Sequence, residues 1–525
     1  MNFVFRNSTV EFFFGNGWEC SGYGDISVVP QGAGMSLWWY TLPIKPNRAA
    51  VASEVSGFPV KLRLVLERAG RAKTFIALTV DEPYAFKLAD SDWSVEDAVA
   101  SCNAGYRALC ADFPNLKVID IREFTSAFPH GEIMDWKFHF MAQAGMNPKF
   151  APKFRQWLAR KIDSIALKRK KCLVVDLDNT LWGGVLGEDG MDGIKIGGGY
   201  PGNAFLFFQE GLKELARGGV ILAACSKNNE QDVLEAWEKN PFMALRKDDF
   251  AAWRINWNDK ASNLRELASE LNIGLDSMVF ADDSPVEREL VRRALPEVEV
   301  PDFPAQPYGL AGFLAELAAR YFSVYALTDE DRAKTSQYKA NAMREREKKT
   351  FSDMGSFLES LGMKLVIEPA NSFSIPRIAQ MTQKTNQFNL TTRRCTEDEV
   401  RGLLSSGWRI FTLSVSDKFG DSGITGCAMV TPEGMIDTFL LSCRVLGRGI
   451  EDEFLKCVCR MMKKQGLRTL RAEYSPSPKN GQVAGFYVKN GFDYAGSPDG
   501  AAREYSLDLA SASLEASPRY RIETK

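Results

Sequence analysis

The chain has 525 residues, a formal net charge of −2 at pH 7 and charged residues at 25% of the total. One hydrophobic core rarely grows beyond about 250–300 residues, so this length predicts several domains, and we expect three. The nearly balanced charge argues against a nucleic-acid polyanion as partner. Basic runs such as 168–171 are expected to be solvated faces, which leaves an acidic protein partner open.

The ten cysteines and two histidines do not show metal-binding spacing. Cys457 and Cys459 are separated by a single residue, and the histidines are His130 and His139. A zinc site is therefore not expected. No apolar run reaches the roughly 20 residues of a membrane-spanning helix, and the N-terminus does not resemble a signal peptide. We expect a cytoplasmic chain without a membrane span, whose cysteines are reduced and mostly buried.

Residues 1–167 are predicted to form an N-terminal α/β domain. Apolar runs predict strands at 60–66, 74–80 and 116–121. A helix is predicted at 95–113, between the last two strands, and this order indicates a parallel α/β unit. A second helix, at 154–167, leads into the next domain.

The most informative motif lies in a second domain, expected over 168–327. Asp176, Asp178 and Thr180 directly follow the apolar run 172–175, and Thr180 is a candidate phosphate ligand. The two-residue strand period places Asp176 and Asp178 on the same side, at the strand end where open α/β sheets bind ligands. Asp176 is suited to attack phosphorus, and Asp178 to act as acid and base. Because Mg²⁺ prefers carboxylate oxygen, both residues are also candidate metal ligands.

Three further segments add polar side chains in chain order. Ser226 and Lys227 follow the apolar run 221–225 and are candidate phosphate ligands, while Asp282 and Asp283 follow the run 277–281. Asp282 is expected to ligate the metal, and Asp283 to assist directly or from the outer shell. Lys260, which lies between these two segments in the chain, is expected to supply a cation for the phosphate and the nucleophile. Each residue alone has an ordinary explanation, such as a helix cap or a surface lysine, so the prediction rests on the ordered set.

These segments resemble motifs one to four of the haloacid dehalogenase (HAD) superfamily, of which the first is Asp-x-Asp-x-Thr. The stretch 182–199 is glycine-rich and is expected to form a flap, and 202–218 is expected to be a helix. Little chain remains for an inserted cap domain, either there or between Ser226 and Lys260. An HAD site without a cap is open and suits large substrates, such as a group carried by a protein.

A charged helical linker is expected at 328–349, a third domain at 350–510, and a loose polar tail at 511–525. The third domain is predicted to contain helices at 354–361, 375–382, 450–465 and 481–490. Its strands are predicted at 364–368, 410–416, 423–431, 435–442 and 468–473.

Arg444, Gly447 and Gly449 precede the helix predicted at 450. Glycines let backbone N–H groups approach phosphate, and a helix N-terminus adds a positive dipole. The pattern resembles the pyrophosphate loop of GCN5-related N-acetyltransferases (GNAT), and 485–492 fits the closing helix and strand of that family. The resemblance implies a bound coenzyme A or phosphopantetheine arm. A glycine-rich helix start without a ligand stays open as the alternative.

The stretches 176–190, 383–393 and 442–444 together closely resemble the FkbH-like proteins, which join an HAD domain of subfamily IIIC to a GNAT-like domain. The resemblance implies a multidomain α/β fold: a flavodoxin- or SGNH-hydrolase-like N-terminal region, a capless Rossmann-like HAD domain and a GNAT-like α+β domain. It implies Mg²⁺, an acyl carrier protein (ACP) and a small acyl phosphate such as 1,3-bisphosphoglycerate, whose glyceryl group is passed to the carrier in polyketide and related pathways.

The N-terminal region departs from the SGNH pattern. The usual Gly-Asp-Ser block is absent, and Asp135 and His139 have the wrong spacing for Asp-x-x-His. We therefore expect no hydrolase triad there, and a structural or partner-docking role instead.

Two further sets of site residues are predicted. Cys443 is the candidate for a covalent acyl relay, because Arg444 would favour its thiolate, and a packing cysteine at a strand end is the equal alternative. Cys172 and Cys225 are weaker candidates within apolar strands. The family resemblance makes Lys384, Asn386, Gln387 and Asn389 substrate-pocket candidates, although by residue type a cap or loop fits as well.

Three functions remain open at this point. The first is a transferase from an acyl phosphate to a carrier thiol. The second is an HAD phosphatase with a carrier-docking domain, and the third is a CoA-dependent acyltransferase in surface-glycan or natural-product biosynthesis.

Overall fold

A computed structural model describes residues 1–28, 34–70, 73–82, 86–166, 168–327, 350–442, 445–497 and 502–525, with 340, 341, 343, 344, 347 and 348 from the linker. The chain is a mixed α/β multidomain protein that divides into two compact units, Met1–Ala166 and Leu167–Lys525. None of the helices in the described ranges is both long enough and apolar enough to cross a membrane.

The first unit is built on a parallel sheet. In its described residues the sheet has the order β2-β1-β3-β4-β5, and its strands are β1 (Asn2–Arg6), β2 (Trp18–Tyr23), β3 (Ser36–Trp39), β4 (Phe75–Leu78) and β5 (Leu116–Ile119). The helices are α1 (Arg48–Ser56), α2 (Phe58–Ala69), α3 (Ser94–Asp112), α4 (Arg122–Thr125), α5 (His130–Ile133), α6 (Trp136–Ala142) and α7 (Ala151–Ile165). Separate apolar clusters cover the sheet, one containing α1–α3 and the other α7.

The structure confirms β4, β5, α3 and α7 and corrects one predicted strand. Residues 60–66 lie in α2, where Phe58, Leu62 and Leu66 are buried while Leu64 is exposed. Burial every four residues is the period of a helix, not of a strand. The strands β1, β2 and β3 were not predicted from the sequence.

The second unit begins with a fully parallel sheet of order β8-β7-β6-β9 in its described part. Its strands are β6 (Cys172–Val175), β7 (Ile221–Ser226), β8 (Ala252–Ile255) and β9 (Met278–Ala281). The helices are α8 (Leu186–Gly193), α9 (Gly202–Arg217), α10 (Glu230–Lys239), α11 (Lys260–Leu271), α12 (Pro285–Ala294) and α13 (Leu310–Leu317). Apolar clusters on both faces bury the strands, which explains their continuous apolar runs.

The connections in this sheet are short. Residues 176–220, all of them described, contain only α8 and α9 between β6 and β7, so no inserted domain is present in that stretch. The stretch expected to be a glycine-rich flap is partly helical, since α8 forms there, with a break at Gly190 (φ +69°). The carboxyl ends of the four parallel strands therefore share one edge, as the site prediction requires.

A mixed sheet forms the rest of the unit, with the order β15-β16-β14-β13-β12-β11-β10-β17 among the described residues. Its strands are β10 (Lys364–Pro369), β11 (Arg409–Asp417), β12 (Gly420–Val430), β13 (Met435–Leu441), β14 (Thr469–Tyr474), β15 (Asp493–Gly496), β16 (Arg503–Asp508) and β17 (Arg521–Thr524). The helices are α14 (Met354–Ser360), α15 (Ile375–Lys384), α16 (Glu397–Ser405), α17 (Ile450–Lys464) and α18 (Phe486–Lys489). The predicted element order is confirmed, and α16, β15 and β16 were missed, although the capping box of Thr396 and Glu399 marks the start of α16.

The expectation of a loose tail is wrong. Residues Arg521–Thr524 form β17, which pairs in parallel with β10 at the edge of the sheet. Three side chains of the tail pack against the domain core: Leu514, Tyr520 and Ile522. They anchor a segment whose overall composition is polar.

The predicted linker helix at 328–349 falls mostly outside the described residues. Of those that are described, Arg344 is buried and forms two 2.6 Å hydrogen bonds to the carboxylate of Asp417, at the end of β11. The linker is therefore attached to the C-terminal domain through a buried ion pair.

Candidate active site

The backbone brings four sequence segments to one edge of the parallel sheet β8-β7-β6-β9, which is called the central sheet below, and its domain the central domain. Asp176 follows β6, Ser226 is the last residue of β7, Lys260 is the first residue of α11 after β8, and Asp282 follows β9. Since β6 to β9 are parallel, the carboxyl ends of all four strands meet at this edge.

Three carboxylates form the centre of the site. Oxygens of Asp176, Asp282 and Asp283 lie within 4.8 Å of one another. Asp176 is 5% exposed and Asp282 is fully buried. Like charges gathered away from water repel each other strongly, so this arrangement requires a nearby cation.

Lys260 supplies one positive charge to the carboxylates. Its Nζ lies 2.9 Å from Asp176 Oδ1 and donates a hydrogen bond to Asp282 Oδ2. Burial alone would lower the pKa of Lys260, but the charges of Asp176 and Asp282 raise it above its ordinary value. Lys260 is therefore a permanent cation at this edge.

One lysine does not balance three carboxylates. Burial, followed by the charge of Asp176, raises the pKa of Asp282 to about 6 and that of Asp283 to about 6. Asp176 Oδ1, although ion-paired with Lys260, accepts no hydrogen bond of good geometry. A hard divalent cation that prefers carboxylate oxygen fits this donor set, and Asp176, Asp282 and Asp283 are the residues that could hold it.

Asp178 lies apart from this group of carboxylates, and its predicted role as a metal ligand stays a prediction. Its carboxylate is absent from the group of three, because N–H groups occupy both oxygens. Oδ1 accepts from Trp182 Nε1 (2.9 Å) and from the backbone N–H of Leu186 (3.0 Å), and Oδ2 accepts from Asn228 Nδ2 (2.8 Å). Burial raises the pKa of Asp178 above its ordinary value. This environment suits a proton-transfer group better than a metal ligand.

Thr180 and Arg288 hold the acidic segments in place. The hydroxyl of Thr180 is buried and accepts a hydrogen bond from the backbone N–H of Asp283 (3.2 Å), so it joins the loops after β6 and β9. Arg288 Nη1 donates to the backbone carbonyls of Asp282 and Asp283, both at 2.7 Å. Thr180 thus helps to position Asp283, and its predicted role as a phosphate ligand stays a prediction. Arg288 was not predicted.

The end of β7 and the loop after it contain two predicted residues, Ser226 and Lys227, and one that was not predicted, Asn228. Ser226 is buried at the strand end, as expected for a phosphate ligand. Lys227 instead forms a 2.7 Å ion pair with Glu287 in the first turn of α12, so the structure does not bring it to the carboxylates. Asn228, which was not predicted, is 4% exposed and reaches Asp178.

Two of the three candidate cysteines lie among the described residues. Cys172 and Cys225 are fully buried, and burial raises the pKa of both thiols, that of Cys225 to about 12. Neither is a ready nucleophile, because the thiolate is the reactive form. Cys443 and Arg444 lie outside the described residues.

The polar cluster predicted at 384–389 is mostly engaged in local structure. Lys384 ends α15, Asn386 accepts a hydrogen bond from Arg394, and Gln387 is exposed. Asn389 is fully buried, donates to the carbonyl of Thr385 (3.2 Å) and accepts from the N–H of Thr392 (2.9 Å). Both ends of the Asn389 amide are thus hydrogen-bonded within the loop, and its contact with a substrate stays a prediction.

Gly447 and Gly449 precede α17 with φ values of +75° and +72°, which glycine adopts easily. Gly449 is the N-cap residue of α17. The predicted glycine-rich start of this helix is therefore present in the backbone.

A solved structure resembles the N-terminal part of this chain. A Mg-complexed N-terminal part of the protein BF1531 from Bacteroides fragilis, described as containing a phosphatase domain, is 26% identical, with a TM-score of 0.54. The match covers 62% of this chain, in its N-terminal part, and 94% of that structure. A scan of family models and a search of curated proteins found no match to this chain.

Acetyltransferase structures match about a quarter of the chain. The ribosomal-protein-S18-alanine N-acetyltransferase of Escherichia coli is 16% identical and has a TM-score of 0.23, with 28% of this chain and 96% of that one covered. A GNAT family acetyltransferase from Elizabethkingia anophelis with acetyl-CoA bound is 14% identical, with a TM-score of 0.20 and coverages of 28% and 98%.

Proposed function

We propose that this chain is a Mg²⁺-dependent HAD-type enzyme that takes an acyl phosphate of the 1,3-bisphosphoglycerate kind, releases phosphate and passes the acyl group to the thiol of an acyl carrier protein. The observation that carries the proposal is the group of Asp176, Asp282 and Asp283 around Lys260. Similarity to a Mg-complexed phosphatase-domain structure supports the metal. The resemblance to FkbH-like proteins supports the acyl phosphate and the carrier.

The side chains divide the work by chemistry. Asp176, Asp282 and Asp283 would hold Mg²⁺, which screens phosphate charge when it is bound. Lys260 and Ser226 would bind phosphate oxygens, and Asp178 would move a proton.

In acyl transfer, the carrier thiol loses its proton and its sulfur bonds to the acyl carbon. The carbon–oxygen bond to phosphate then breaks, and the phosphate leaves with that electron pair. The products are a thioester and inorganic phosphate.

Simple phosphate hydrolysis is the second candidate, and one observation favours it. Asp176, whose Oδ1 lies 2.9 Å from Lys260 Nζ, offers a carboxylate oxygen that could attack phosphorus. On an acyl phosphate this route would release the free acid and lose the activated carbonyl.

For the first unit we propose a flavodoxin-like domain with a structural or docking role. The parallel order β2-β1-β3-β4-β5 is that of flavodoxin-like sheets. Asp135 accepts hydrogen bonds from the backbone N–H groups of Lys137 and Phe138 and so caps α6. This use as a cap gives Asp135 a role without a hydrolase triad.

The test is the intact mass of carrier protein after incubation with the enzyme, Mg²⁺ and enzymatically generated 1,3-bisphosphoglycerate. We expect a glyceryl mass increase on holo-ACP and none on apo-ACP, which lacks the thiol. Phosphate release without an adduct would favour hydrolysis. Lys227→Ala is the matched control for Lys260→Ala, because Lys227 pairs with Glu287 outside the carboxylate group.

A further inference from the structure

β13 and β14, two neighbouring parallel strands of the C-terminal sheet, pair over only two residues. Met435 pairs with Arg471 and Ile436 with Ala472, whereas β13 continues to Leu441 and β14 to Tyr474. Strands that separate in this way expose backbone N–H and C=O groups, which must be paired by something else when they are buried.

The opening between these strands is the natural place for an extended, amide-containing arm. It lies at their carboxyl ends, and the chain runs from the end of β13 through Gly447 and Gly449 into α17. The resemblance of that loop to a pyrophosphate loop would place the phosphate end of coenzyme A or phosphopantetheine at the helix, with the amide arm along β13.

A segment of the same chain, Phe388–Leu390, already fills the opening. Toward β13, the carbonyl of Phe388 accepts from the N–H of Leu441 (3.0 Å), and the N–H of Leu390 donates to the carbonyl of Phe439 (3.1 Å). Toward the end of β14, the N–H of Ser475 donates to the carbonyl of Leu390 (2.8 Å). The segment is antiparallel to β13 and satisfies the backbone groups that an arm would otherwise satisfy.

The side chains anchor this segment in the core. Leu390 is fully buried, and the ring of Phe388 lies 5.1 Å from that of Phe486. Asn480, also fully buried, donates to the carbonyl of Asn389 (3.0 Å). Displacing the segment would expose two apolar side chains and leave buried amides without partners, which is costly.

The glycine loop before α17 is covered by the C-terminal tail. The hydroxyl of Tyr520 donates to the carbonyl of Arg448 (2.6 Å), and a Cβ on Gly449 would lie 2.8 Å from that hydroxyl. The N–H of Ser517 donates to Glu453 (3.2 Å), and pairing of β17 with β10 holds the tail in place.

Charge at the start of α17 also disfavours a phosphate. Its first turn carries Glu451, Asp452 and Glu453. Carboxylates at a helix N-terminus interact with the positive end of the dipole and repel a second anion. Asp452 and Glu453 have cationic partners, Lys489 at 2.8 Å and Lys456 at 3.0 Å, so these charges are part of the folded domain.

We propose that the C-terminal domain is closed to a thiol arm: Phe388–Leu390 acts as an internal strand in the arm opening, and Tyr520 seals the glycine loop. The residues that the structure describes there therefore do not fit coenzyme A or phosphopantetheine between β13 and β14. This inference rests on the proposed function, and it implies that the carrier presents its thiol directly to the central domain. It also argues against the CoA-dependent acyltransferase that the sequence left open.

The experiment measures coenzyme A binding to the full chain and hydrogen exchange in the opening. Isothermal titration with CoA and acetyl-CoA up to 1 mM is expected to show no saturable heat for the wild type or for Tyr520→Ala. A CoA-binding acetyltransferase serves as the assay control. The amides of Leu390 and Leu441 are expected to exchange slowly and to be unaffected by CoA, because each is hydrogen-bonded inside the sheet.

Saturable binding to the wild type would overturn the proposal. Binding to Tyr520→Ala alone would also overturn it, since the tail would then be a movable gate. Phosphate release does not enter either measurement, so failure of this proposal is distinguishable from failure of the proposed function. A carrier adduct that forms normally while CoA does not bind would support both.

Discussion

The carboxyl edge of the central sheet and the opening in the C-terminal sheet both look like ligand sites in sequence, but they differ in what they leave unsatisfied. At the central edge, Asp176, Asp282 and Asp283 gather around one lysine, and their charges remain unbalanced. In the C-terminal opening, Phe388–Leu390 satisfies the strand backbones. The comparison teaches that a glycine motif indicates a possible backbone shape, whereas uncompensated buried charge indicates a need for a ligand.

The largest expected effect comes from removing a carboxylate of the central group. Asp176→Asn should lower Mg²⁺-dependent phosphate release by at least about 100-fold, because the change removes a proposed metal ligand that is also the candidate nucleophile. A phosphate-release assay with saturating Mg²⁺ measures this, and Lys227→Ala should remain within about twofold of the wild type. Unchanged phosphate release in Asp176→Asn would contradict the claim that the unbalanced carboxylates of the central edge form a ligand site.

The next effect concerns stability without metal. Lys260→Met removes the cation from the carboxylates, and breaking a buried ion pair of this kind costs about 3–5 kcal/mol. We expect a lower Tm in EDTA and a larger Mg²⁺-induced rise in Tm than in the wild type. If Mg²⁺ stabilised the two proteins equally, the view that Lys260 and the metal compensate the same charges would be wrong.

Substitution of Arg344 should destabilise the C-terminal domain by a comparable amount without lowering the rate of phosphate release. Arg344→Met leaves the side chain of Asp417, which is 1% exposed, without its two 2.6 Å hydrogen bonds, a change worth about 3 kcal/mol. Urea unfolding should show the loss, while phosphate release below the transition stays near the wild-type rate. A parallel loss of release in the folded protein would show that the domain contributes to the chemistry.

The smallest effect sharpens the assignment of the tail. Tyr520→Phe removes one hydrogen bond to Arg448, worth about 1 kcal/mol. Hydrogen exchange should accelerate slightly at the N–H of Ser517, near the anchoring tyrosine. No change at Ser517, with faster exchange elsewhere in the domain, would place the tail anchor in another residue.

Much of the central domain could be predicted from local patterns. Runs such as 172–175 and 221–225 are apolar throughout because both faces of the parallel sheet are covered, and the polar residues that follow them share an edge for the same reason. The sequence alone therefore predicts that Asp176, Ser226, Lys260 and Asp282 lie at the same edge. The strand predicted at 60–66 failed because an apolar segment alone does not distinguish a period of two from one of 3.6.

By itself, the sequence determined the types of residue at each strand end, the element order of the C-terminal domain and the glycines before α17. Only the tertiary structure decided where individual side chains point: Asp178 toward Trp182 and Asn228, and Lys227 toward Glu287. It also decided that Phe388–Leu390 enters a sheet about 50 residues away in sequence and that the tail becomes β17. Such pairings depend on long-range backbone hydrogen bonds and on burial, which no local pattern of residues encodes.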